Sequence, residues 1–177
     1  MLNLIANTSI EKKIYKALET FVLDRKLRIV KIRFQKAKEF KLSIFLDKKY
    51  GKLTVDECAD LSREIKSLLD IESIIKSPFR LEISSPGIDR YLSSLDDFLK
   101  YRNYNVRVKS EKNVRRGKLI HNGPDSLTLS NKNGVQDISL SSVLEIKLDL
   151  EGMSFEKIKE MEFKWVFHQE MGVNLSK

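Results

Sequence analysis

Leu-Glu-Ile-Ser-Ser-Pro-Gly-Ile-Asp-Arg-Tyr-Leu, residues 81–92, decides how the chain divides. The stretch opens as a strand, with Leu81 and Ile83 alternating with Glu82, and then meets Pro86-Gly87. Proline fixes φ and removes a backbone donor, while glycine tolerates positive φ, so a strand that reaches this pair turns there. Upstream, strand and long helical patterns alternate; downstream, short strands follow one another between tight turns. The change of pattern predicts an α/β domain over residues 1–91, a second domain over 92–150 and a helical C-terminal extension over 151–177.

Working upstream, residues 8–26 carry Ile10, Ile14, Ala17, Leu18 and Phe21 at helical spacing, and Thr8 with Glu11 forms a capping-box pattern at the start. Residues 28–35 and 40–46 each alternate with period two and are separated by Lys36-Ala37-Lys38-Glu39, which predicts a hairpin with one buried face. Val30, Ile32 and Phe34 take the core side on this pattern, and Lys31, Arg33 and Lys41 the solvent side. A second capping box, Thr54 with Glu57, opens a helix bearing Val55, Cys58, Leu61, Ile65 and Leu68 on one face. Pro78 introduces a third strand with Phe79, Leu81 and Ile83 inward. The order α-β-β-α-β predicts a two-layer domain with helices on one face of the sheet.

Working downstream, a short helical piece at 94–101 precedes five strand candidates at 104–109, 115–121, 126–129, 135–140 and 143–148. Asn122-Gly123 and Asn133-Gly134 are tight-turn signals between neighbouring strands. Five short strands in so small a span predict a barrel of SH3 or Sm type. The fold class is therefore α+β. Residues 154–171 read as a helix with Phe155, Ile158, Met161 and Trp165 on one side, packed on the rest of the protein or on a partner.

The 177 residues carry a net charge of +8, split as +6 over residues 1–92, +3 over 93–150 and −1 over 151–177. Such a field favours polyanions, nucleic acid above all, and the C-terminal stretch is not its source. A single cysteine, Cys58, excludes an internal disulfide framework and fits a reducing compartment. No basic n-region precedes an apolar core at the start, and no apolar run approaches a membrane span, so a soluble cytoplasmic protein is expected.

The chemistry of catalysis is poorly represented. His121 and His168 have no ligand or triad partner at telling spacing, and Ser84 and Ser85 lie in no Gly-x-Ser-x-Gly pattern. No phosphate-binding glycine loop, Cys-x-x-Cys or metal-ligand spacing is present, so no cofactor or metal is expected. Asp56, Glu57 and Asp60 fall at a helix start, where the dipole favours acids without any catalytic role. Cys58 sits on an apolar stripe and is expected to be buried and inert. Cations are better placed. Arg107, Lys109, Lys112, Arg115, Arg116 and Lys118 crowd one predicted hairpin, with Lys31 and Arg33 as further candidates for RNA contact. Tyr101 and Tyr104 beside that hairpin either stack on bases or fill the domain interface. A K-homology reading of the first domain lacks its Gly-x-x-Gly loop.

Residues 81–90, Leu-Glu-Ile-Ser-Ser-Pro-Gly-Ile-Asp-Arg, resemble the signature of the bacterial ribosome maturation factor RimP family, and residues 55–62, Val-Asp-Glu-Cys-Ala-Asp-Leu-Ser, resemble that family's second-helix start. The resemblance implies a two-domain α/β and SH3-like protein that binds the immature small ribosomal subunit, through rRNA and a ribosomal protein, and assists its maturation without catalysis. It marks Ser84, Ser85, Pro86, Gly87, Asp89 and Arg90 as motif residues, with Asp89 expected to accept from turn amides and Arg90 to bridge the domains or reach a phosphate. Tyr91 stands where the family usually has proline. A monomer is expected. A general RNA-binding module of Sm or SH3-like type is the alternative.

Overall fold

The computed structural model describes residues 2–48, 51–123, 125–154 and 156–160. It divides into two compact units, one of Ile5–Pro86 and one gathering the residues from Gly87 onward with the N-terminal stretch that ends at Leu4. The architecture is mixed: an α/β first unit and a sheet-rich second one.

A one-turn helix α1 (Leu2–Ile5) comes first, followed by α2 (Ser9–Asp24). Thr8 caps α2 as its spacing predicts: its hydroxyl accepts from Glu11 N, and the Glu11 carboxylate accepts from Thr8 N at 2.9 Å. Strands β1 (Leu27–Lys36) and β2 (Phe40–Lys48) form the expected antiparallel hairpin. Helix α3 (Val55–Ile71), capped by Thr54 with Glu57, then carries the chain to β3 (Phe79–Ser84), which lies parallel to β2. The sheet order is β1-β2-β3. Ile14 and Leu18 of α2 and Leu61, Ile65 and Leu69 of α3 share one core with Ile32, Leu42, Ile44 and Leu46. Each such fully buried aliphatic side chain stabilises the unit by roughly 1.5–3 kcal/mol.

One register detail departs from the simple alternation. Ile29 pairs with Leu46 but Lys31 pairs with Phe45, so Val30 is an inserted bulge residue. The extra residue resets the pleat, and Ile29 joins Ile32 in the core, while Val30 is buried outside it. Lys31, predicted on the solvent face, is 1% exposed, and its ammonium donates to Asn7 Oδ1 at 2.8 Å.

In the second unit, α4 (Leu95–Lys100) precedes β4 (Asn105–Ser110), β5 (Val114–Asn122), β6 (Ser126–Asn131), β7 (Gly134–Ser139), a 3-10 turn (Leu140–Ser142) and β8 (Val143–Leu148). The five strands match the sequence candidates within a few residues at each end. The sheet order is β7-β6-β5-β4-β8, antiparallel throughout. Gly117 is required where β5 crosses β6, since a Cβ there would sit 2.9 Å from the Ser130 carbonyl oxygen. Among the described residues no pairing joins β7 to β8, so hydrogen bonding draws an open five-stranded sheet rather than a closed barrel. Val106, Val108, Leu119, Leu127, Leu129, Ile146 and Leu148 line its core beside Leu4, Leu92 and Phe98. The helix predicted at 154–171 falls mostly outside the described residues, which show helical residues at 156–160.

Candidate nucleic-acid interface

The motif residues distribute over the joint in order. Ser84 ends β3 opposite Phe45, Ser85 is exposed, Pro86 is buried, and Gly87 adopts φ +60°, the left-handed conformation that explains its residue type. From there the chain runs beside β8. Leu92 N donates to the Ile146 carbonyl at 2.9 Å, Leu148 N donates to the Arg90 carbonyl at 3.0 Å, and Tyr91 bridges Lys147. Asp89, expected to accept from turn amides, accepts instead from Lys147 Nζ at 2.7 Å. The same ammonium lies 4.4 Å from the centre of the Tyr91 ring.

Arg90 is buried in the second unit. Its side chain is 3% exposed and lies 3.6 Å from Asp97 of α4, with the guanidinium 5.6 Å from the Tyr101 ring centre. Asp97 also caps α4, accepting from Ser93 N at 3.0 Å, Ser94 N at 3.1 Å and Ser94 Oγ at 2.9 Å. Both motif charges therefore have partners within one unit, and a buried Arg90 does not present its guanidinium to solvent phosphate. Tyr101, one of the two candidate stacking residues, is 6% exposed and belongs to the core. Tyr104 meets it edge to face at 6.0 Å.

The cations of the β4–β5 hairpin separate by face. Val106 and Val108 point into the core, so Arg107 and Lys109 take the outer face of β4. Register places Arg116 opposite Arg107 and Lys118 opposite Asn105 on that same face. Arg115 lies opposite Val108 and so has the parity of the inner face, at the hairpin end where the core stops. Lys112 is exposed at the turn. Across the sheet, Arg116, Arg107 and Lys147 form a row on β5, β4 and β8.

Like charges placed side by side across strands repel, and the flanks of this row are neutralised locally. Arg116 ion-pairs with Asp149 at 3.5 Å and with Glu151, while Lys147 has Asp89. Among the described residues Arg107, Lys109, Lys112, Arg115 and Lys118 have no carboxylate within ion-pair distance. Lys147 was invisible to the sequence reading, since its role depends on β8 lying beside β4. The alternation of Leu144, Ile146 and Leu148 with Glu145 and Lys147 was the signal available.

In the first unit, Arg33 and Lys41 lie on the sheet face away from the helices, where Lys41 pairs with Glu82 at 2.8 Å. Glu57 at the start of α3 is held below the usual glutamate range, first by a hydrogen bond from Lys48 at 2.5 Å and then by the Thr54 backbone amide. Cys58 is half-buried rather than fully buried. Burial pushes its thiol up, partly opposed by a backbone hydrogen bond from Ser85. His168 lies outside the described residues. Among the described residues no group of three or more His, Cys, Asp or Glu could hold a metal ion, and no helix is long and apolar enough to cross a membrane.

The outer face of β4 and β5 thus gathers cations of the type that contact phosphate, a contact that in general carries no sequence readout and weakens with salt. Residues 17–89 match the family model described as the RimP N-terminal domain, a span that covers the second half of α2, the whole three-stranded sheet, α3 and the joint as far as Asp89.

Proposed function

The chain belongs to the RimP family through its N-terminal domain, and from that premise we propose that it is a non-catalytic assembly factor that binds the immature small (30S) ribosomal subunit and assists its maturation. The single observation that carries the reading is the match of residues 17–89. The net charge of +8 and the unneutralised cations at Arg107, Lys109, Lys112 and Lys118 support rRNA as part of the target. Phosphate contacts supply affinity without sequence, so a ribosomal protein would supply the specificity. The second unit is taken as a small SH3-like barrel, because its last strand lies beside its first. Working as a monomer in the cytoplasm, domains 1–91 and 92–150 would hold a folding intermediate of the subunit, with 151–177 as an extension.

Depletion of the protein is expected to make small-subunit precursors accumulate in gradient profiles; a normal subunit ratio overturns the proposal. The antiparallel sheet with a basic outer face also suits a second reading, a general RNA-binding module of Sm or SH3-like type. Competition separates the two: unrelated RNA that displaces the protein from small subunits as readily as ribosomal RNA favours the module.

A further inference from the structure

The β1–β2 hairpin, residues 27–48, carries seven Lys or Arg against Glu39 and Asp47, a net +5 in a first unit whose total is +6. Arg28 with Asp47 at 3.2 Å and Lys48 with Glu57 at 2.5 Å are matched at the base of the hairpin, and Lys41, one pair in from the tip, is matched by Glu82 at 2.8 Å. At the tip itself the charges are not matched. Lys36 and Lys38 are exposed and have no carboxylate within ion-pair distance among the described residues.

The tip also presents aromatic rings. Register aligns Lys36, Phe40 and Phe79 across β1, β2 and β3. Phe34 and Phe40 stack with centroids 5.3 Å apart and planes 3° from parallel. Lys36 Nζ is 5.4 Å from the Phe40 ring centre, and Lys66 of α3 lies 4.6 Å from that of Phe79. All three phenylalanines are half-buried. Phe34 and Phe79 pack against the core, but Phe40 is not among the side chains that do. A large apolar ring that the core does not use, stacked on a second ring and with the Lys36 ammonium over it, suits a ligand with both π-faces and negative charge.

We propose that this shelf binds unpaired nucleotides of single-stranded RNA, with a base stacked at Phe40 and its flanking phosphates on Lys36 and Lys38. Stacking on aromatic side chains beside a basic track is how single strands are held without sequence readout. The inference rests on the ribosomal reading above and adds to it a second, chemically different RNA contact: base stacking on the first unit, phosphate contact on the second.

The test uses the full chain and a fluorescein-labelled, unstructured twelve-nucleotide RNA, read by anisotropy, alongside the same strand with abasic positions. Phe40→Leu is expected to weaken the RNA about tenfold and to erase the preference for the base-containing strand. Phe40→Tyr keeps the ring and should restore both, which guards against a folding defect in the first variant. Lys36→Gln with Lys38→Gln should flatten the slope of log affinity against log salt by about 1.4. Equal binding of the two strands by the wild-type chain overturns the proposal, as does displacement of the RNA by a glutamate-rich peptide of the same charge. A chain that stacks the base at Phe40 yet never associates with small subunits overturns the ribosomal reading and leaves this one standing. Phe40→Leu that binds RNA like wild type overturns this one alone.

Discussion

Replacing Asp97 with Ala tests the anchorage of the joint motif most directly. Asp97 is 3% exposed and does two jobs at once: one carboxylate oxygen faces Arg90, and the other accepts from Ser93 N, Ser94 N and Ser94 Oγ. Breaking one side of a buried ion pair leaves a buried charge uncompensated, at about 3–5 kcal/mol. Loss of the Asp97 arm of the Ser94 capping box costs about 1 kcal/mol on its own, although the two losses share atoms and do not simply add. A total near 4 kcal/mol is expected. In urea this lowers the unfolding midpoint by roughly 1.3–4 M for slopes of about 1–3 kcal/mol/M, followed by far-ultraviolet circular dichroism on the full chain. Adding Arg90→Met removes the stranded guanidinium and should recover part of the loss, because an apolar replacement of a buried pair is close to neutral. The reasoning fails if Asp97→Ala loses less than about 1 kcal/mol, or if the double variant is no more stable than the single one.

Three further outcomes follow from other sites. Glu57 has a folded pKa below its unfolded one, so its contribution to stability is present above the ordinary glutamate range and is lost as pH falls through the folded value; the stability advantage of wild type over Glu57→Gln should shrink across that acidic window and would be refuted by a pH-independent difference. Burial raises the Cys58 thiol, so iodoacetamide should modify it more slowly than free cysteine at neutral pH and overtake only on the alkaline side, with faster labelling contradicting the assignment. Gly87 holds φ +60° with open space where a Cβ would lie, so Gly87→Ala should lose about 1–2 kcal/mol from backbone strain alone; a neutral effect by denaturant titration would rule out the left-handed turn.

Much of the fold was legible because its signals are local. The Thr8–Glu11 and Thr54–Glu57 boxes sit where α2 and α3 begin, and the period-two runs became β1, β2 and β3. The capping box at Ser94 was passed over because aspartate stands where glutamate is usual, yet Asp97 closes it. Val30 shows the limit of alternation, since one inserted residue put Ile29 in the core in its place, whereas Lys31 keeps the face of Arg33 and is buried there against Asn7. Of the candidate site, residue types and hairpin were readable, but facing was not. Arg115 and Arg116 are adjacent in sequence and of opposite parity on the sheet, which only the pairing with Val108 and Arg107 reveals. Asp89 and Lys147 are 58 residues apart, and nothing at either position signals the other.

The position of β8 beside β4 has a consequence for synthesis. Every strand of the first unit has its partners once Ser84 has been made, and both of its capped helices are local. The second unit is different. Its first strand waits for its last, with Val106 paired to Leu148, and the Arg90–Leu92 segment needs Ile146 and Leu148 to bond against. Leu4, translated before the whole of the first unit, enters a core completed by a strand translated 62 residues after Pro86. At about 5–20 residues per second the ribosome opens a gap of roughly 3–12 s between the two units. During that interval the first unit is complete while Leu4 and the Arg90–Leu92 segment still lack their partners on β8.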